Sequence, residues 1–152
     1  MDKSDLISRL NAAIPGAVIE KPKFGRTGQA CLWIEMSSIQ KVARYLKDEP
    51  GIEMDWLENL SVMQLDDALV LTYFLRSTSL GGTAILRGSV VPNSPDAAVD
   101  VPSVSSVWEM ASLVEQDSHE MFGIRFGKKS NTGTQFEWQG YPLRKSYEIR
   151  NN

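Results

Sequence analysis

Apolar residues recur at helical spacing near the N-terminus. Leu6, Ile7, Leu10 and Ile14 fall on one face, Ser4 is placed to cap it, and Pro15-Gly16 stops it. Residues 17–20 and 30–35 then read as two strands joined by the turn Gly25-Arg26-Thr27-Gly28. A second helix starts at Ser38, with Ile39, Val42, Ala43 and Leu46 at i, i+3, i+4 and i+7. Pro50-Gly51 ends that unit. Residues 57–65, 69–76 and 84–91 read as three more strands, with turns marked by Asp66-Asp67 and Gly81-Gly82. The middle one, Leu69-Val70-Leu71-Thr72-Tyr73-Phe74-Leu75, is apolar on both faces and belongs in the centre of the sheet. Residues 92–102 hold three prolines and read as a loop.

The pattern predicts an α+β fold: a largely antiparallel sheet of about five strands with helices packed on it. Residues 1–126 form that domain. From residue 127 the chain turns polar and glycine-rich with no amphipathic period, so residues 127–152 are expected to be an extended, irregular C-terminal docking tail.

The last strong helical pattern runs over residues 108–124, closed by Gly123 and preceded by a capping-box pattern, Ser106-Val107-Trp108-Glu109. At about 100° per residue, Met110, Leu113, Val114, Met121 and Phe122 form one apolar face. Asp117 falls on the row Leu113, Asp117, Met121 within it, while Glu109, Glu115, Gln116, His119 and Glu120 fall opposite. A carboxylate on a core-facing row is costly unless paired. The basic pair that follows Pro142-Leu143, Arg144-Lys145, offers the partner. An Asp117 pair with Arg144 or Lys145 would pin the tail to the body.

Composition narrows the function classes. The 152 residues make one domain by length, and 42% hydrophobic content is enough for a core. A formal charge of −3 argues against nucleic acid or anionic membrane as a general partner. A single cysteine, Cys31, excludes an internal disulfide and a cysteine-held cluster, and reads as a small buried strand residue. No stretch approaches the roughly 20 apolar residues of a membrane span, and the N-terminus lacks the apolar core of a signal peptide. The expectation is a cytoplasmic protein that reaches a membrane only through partners.

Catalytic constellations are sparse. His119 is the only histidine, and with Glu115 it is short of the three or four protein ligands of a stable metal site; a surface Glu–His pair accounts for it. Glu115, Asp117 and Glu120 would be an acid–base set only if they converged, and on one helix they diverge. Ser103, Ser105 and Ser106 lack a nucleophile elbow and suit helix capping. Gly123 and Gly127 close a helix instead of opening one, so they are no dinucleotide fingerprint. Trp33, Trp56, Trp108 and Trp138 have no basic groove beside them and suit core or interface anchors. The residues alone describe an α+β domain without a cofactor constellation, whose tail requires a partner.

Two segments carry a resemblance. Trp108, Ala111, Glu115, Met121, Phe122, Gly123 and Ile124, followed by Trp138, Gly140, Pro142, Leu143, Arg144, Lys145 and Tyr147, resemble the thirty-kilodalton peripheral-arm subunit of bacterial NADH:quinone oxidoreductase, respiratory complex I. Leu57, Leu60, Asp66 and the run Tyr73-Phe74-Leu75-Arg76-Ser77 resemble its middle strands more loosely. The chain departs from the family's usual pattern in Gln116, Asp117, His119, Glu120 and Ser146, and in lacking a Gly-His-Pro stretch after Phe126. The resemblance implies a peripheral subunit with no active site, flavin, iron–sulfur cluster or nucleotide of its own. It would scaffold the quinone-site and iron–sulfur subunits on the cytoplasmic face of the cell membrane. Trp108, Glu115, Asp117, Gly123, Trp138, Pro142, Arg144 and Lys145 are the expected structural and interface residues. The departures keep open a homologous subunit of an energy-converting hydrogenase or formate hydrogenlyase. A small free-standing acid–base enzyme is the remaining alternative.

Overall fold

The computed structural model describes residues 3–19, 30–94 and 97–127. Helix α1 (Lys3–Ala13) buries Leu6 and Leu10, and Gly16 turns the chain at φ +81°. It begins at Lys3, so Ser4 lies inside the helix and is not its cap. Strand β1 (Ala30–Trp33) follows, then a short 3-10 turn, Met36–Ser38, and helix α2 (Ile39–Asp48). Cys31, on β1, is half-buried and not fully enclosed. The four apolar positions expected of α2, Ile39, Val42, Ala43 and Leu46, are all fully buried, because i, i+3, i+4, i+7 spacing lays them along one core-facing stripe.

Strands β2 (Trp56–Leu65), β3 (Ala68–Arg76) and β4 (Thr83–Val90) form an antiparallel meander. The sheet order is β1-β4-β3-β2, with β1 parallel to β4. β3 is therefore interior, as its two-faced apolar run requires, and sends Leu69, Leu71, Tyr73 and Leu75 into the core. Asp66 takes φ +55° in the β2–β3 turn. Among the described residues the sheet has four strands, where the pattern predicts about five. Residues 17–19 contribute only an isolated antiparallel bridge, Val18 to Ile34. The turn expected at Gly25 to Gly28 lies outside the described residues.

Two short strands go beyond the sequence pattern. β5 (Val99–Val101) falls in the expected proline loop and pairs in parallel with β6 (Ile124–Phe126), which follows helix α3 (Ala111–Phe122). Gly123 caps α3 at φ 74°, and its N–H donates to His119 O. No helix among the described residues is long and apolar enough to cross a membrane.

Candidate functional site

Helix α3 starts at Ala111, three residues later than its pattern predicts. Ser106 and Glu109 form no capping box: Met110 stands at the N-cap without a side-chain hydrogen bond. Its buried face is Ala111, Glu115, Ser118 and Phe122, with Val114 half-buried. The expected face is rotated away from this one: Leu113 is 62% exposed, and Asp117 is exposed. Among the described residues Asp117 has no buried seam around it; its expected partners, Arg144 and Lys145, lie outside those residues. Helix α3 packs on β2, and two of the four residues on its buried face, Ala111 and Ser118, are small.

The buried acid is Glu115, at 5% exposure the one buried charged residue among the described residues. Its Oε1 accepts from Ser103 Oγ at 2.6 Å and its Oε2 from the Val104 N–H at 2.9 Å. Ser103 Oγ also accepts from the Ser105 N–H at 3.1 Å and lies 2.9 Å from Ser105 Oγ. A fully buried Tyr73 faces the same region. Burial raises its phenol above the ordinary range, and the Glu115 charge adds to that. Its hydroxyl has no hydrogen-bond partner among the described residues.

The loop between β5 and α3 is tied from every side. Gln40 Nε2 donates to Ser103 O at 2.7 Å and Lys47 Nζ to Val107 O at 2.9 Å, both from α2. Trp108 is buried, and its indole N–H donates to Met54 O at 2.9 Å. His119 donates from Nδ1 to Ile124 O at 3.0 Å, which joins α3 to β6. Arg125 and Asp100 pair across β5 and β6 at 2.9 Å on the surface. Beside them opens a groove of about 940 Å³ lined by Glu35, Met36, Gln40, Val90, Val101 and Pro102, among others.

The expected residues divide clearly. Trp108 and Glu115 both hold the loop before α3, Gly123 caps the far end of that helix, and Asp117 is exposed. Trp138, Pro142, Arg144 and Lys145 lie outside the described residues. Glu115 and His119 are not a surface pair, since Glu115 is buried and turned to Ser103 and Val104. Among the described residues no group of three or more His, Cys, Asp or Glu could hold a metal ion. Glu115 serves here as a fixed acceptor for the chain's own N–H and O–H groups. Sequence reasoning missed this role, since it assigned Ser103 and Ser105 to helix capping and Glu115 to the solvent side.

A model of the family described as respiratory-chain NADH dehydrogenase, 30 Kd subunit, matches residues 32–152. The NADH-quinone oxidoreductase C subunit of Roseiflexus sp. (strain RS-1) is 29% identical over 160 residues, covering 98% of this chain and 86% of the relative. Among solved structures, a chain of the membrane-bound sulfane sulfur reductase, an archaeal respiratory membrane complex, shares the fold. Its TM-score is 0.71 at 19% identity, over 96% of this chain and 85% of the other. The trypsin-resistant fragment (1–134) of Nqo5 also shares it, with TM-score 0.59 at 16% identity over 86% of this chain and 99% of the fragment.

Proposed function

The chain belongs to the family of the 30 kDa subunit of respiratory-chain NADH dehydrogenase, and from that premise we propose that it is a peripheral, non-catalytic subunit of a membrane-bound NADH:quinone oxidoreductase. It scaffolds the quinone-site and iron–sulfur subunits on the cytoplasmic face and binds no cofactor itself. Residues 127–152 serve as the docking tail in this reading. The observation that carries this reading is the family match, which spans the sheet, the Glu115 loop and the tail in one stretch. The use of Glu115 to fix the chain's own loop supports it, because both carboxylate oxygens are engaged by the Ser103 hydroxyl and the Val104 N–H.

Affinity purification of the tagged full chain from native membranes tests the reading. Quinone-site and iron–sulfur subunits should be recovered with it, together with NADH:quinone activity, and the purified chain should have no turnover alone. A chain recovered without companions, with turnover of its own, would overturn the proposal. The missing Gly-His-Pro stretch favours a second reading, the equivalent subunit of an energy-converting hydrogenase or formate hydrogenlyase. Recovery of a nickel-site subunit in place of NADH-linked ones would select it.

A further inference from the structure

Side chains alternate across a sheet, so the strands that fill the core also build a second face. β3 sends Val70 and Thr72 there, β4 Ile85 and Arg87, and β1 Trp33. The register sets them side by side: Trp33 opposite Arg87, Arg87 opposite Thr72, Val70 opposite Ser89. On this face Trp33, Val70, Thr72 and Ile85 are only 8%, 5%, 4% and 4% exposed. Yet Trp33, Val70 and Ile85 are absent from the core cluster, which takes in the buried apolar residues of α1, α2 and α3. The helices therefore pack on the other face. The cover ends toward β2, where Met63, opposite Val70, is 48% exposed.

We propose that residues 136–143 of this chain's own C-terminal segment lie across the second face and close it as a second apolar core. Position favours them. Gly127, which follows β6, lines the same groove as Ser89, and Ser89 stands at the Val70 end of the face. The eight polar residues 128–135 would span about 26 Å if extended, enough to carry the chain from that groove onto the face. Residues 20–29 instead join Ile19, beside Trp33, to Ala30, opposite Ala84, and so flank the other end.

Apolar supply favours them too. Residues 136–143 offer Phe136, Trp138, Tyr141 and Leu143, whereas Phe24 is the single large apolar side chain of residues 20–29. Charge agrees. Arg87 lies half-buried in the middle of the face, where a second cation would be costly. Residues 20–29 carry Lys21, Lys23 and Arg26 against Glu20 alone. Residues 136–143 carry one charge, Glu137, opposite in sign to Arg87. The assignment stands apart from the subunit reading and leaves residues 144–152 for a neighbouring chain.

Nuclear magnetic resonance on the isotope-labelled full chain tests it. Overhauser contacts from the Val70 and Ile85 methyls should reach aromatic protons of Phe136, Trp138 or Tyr141. A second measurement uses Thr72→Cys, made with Cys31→Ser so that one thiol remains. Its labelling should be slow, and at least roughly tenfold faster once Trp138→Ala is added. Phe24→Ala should leave the rate unchanged. If Thr72→Cys does not fold, the native Cys31, half-buried on the same face, gives the same readout. Methyl contacts to Phe24, or to no residue of 128–152, overturn the proposal, as does a labelling rate that Trp138→Ala leaves unchanged. Contacts found only between differently labelled copies assign the cover to a second copy and also overturn it. Every readout is taken on the chain alone, so its failure leaves the subunit reading intact.

Discussion

Glu115 and Asp117 stand two positions apart on α3 and play opposite parts. Replacing Glu115 with alanine strands the Val104 N–H and the Ser103 hydroxyl in a buried loop, at a cost of about 3 kcal/mol. Asp117→Ala removes a solvated carboxylate and should stay within about 0.5 kcal/mol. Urea melts of the two variants check the contrast; similar losses for both would contradict the assignment. The sequence pattern points to Asp117 as the inward acid and sets Glu115 on the opposite side, and the structure reverses both. The inward acid is not legible, because large apolar residues dominate the pattern. The buried face includes Ala111 and Ser118, small residues that attract no attention in a hydrophobic pattern.

Elements with long, regular periods are legible almost to the residue. The spans expected at 57–65, 69–76 and 84–91 correspond to Trp56–Leu65, Ala68–Arg76 and Thr83–Val90. β5 and β6 are not legible, since three residues carry no measurable alternation and their partners lie on either side of a whole helix. One glycine inside β4 has a reason only the assembled elements reveal. A Cβ on Gly88 would fall on the Met36 thioether of the turn before α2. Gly88→Ala should therefore cost about 1–3 kcal/mol. The penalty should shrink when Met36→Ala is made as well, a coupling that a double-mutant cycle of thermal melts measures.

The whole molecule is closed by contacts that link separate parts of the meander. Asp55, just before β2, accepts from the Thr78 hydroxyl and, at 2.8 Å, from the Thr78 N–H in the β3–β4 turn. These bonds, the hydroxyl first, hold its carboxyl below the usual range. A depressed folded-state pKa contributes stability above the unfolded value and loses it as pH falls through the folded one. The contribution is thus complete at neutral pH and fades below about pH 4. Thr78→Val should flatten part of that acid limb in urea melts followed as a function of pH; an unchanged limb would exclude the link.

The parallel pairing of β1 with β4 has a consequence for synthesis. β2, β3 and β4 can each find a neighbour as soon as the next strand is made. β1 leaves the ribosome long before them, and its hydrogen-bonding mate, Thr83–Val90, comes last of the four. Through that interval Leu32 and Trp33 belong to a nascent chain with no sheet in which to hide them, the period when a holdase chaperone has the most to protect.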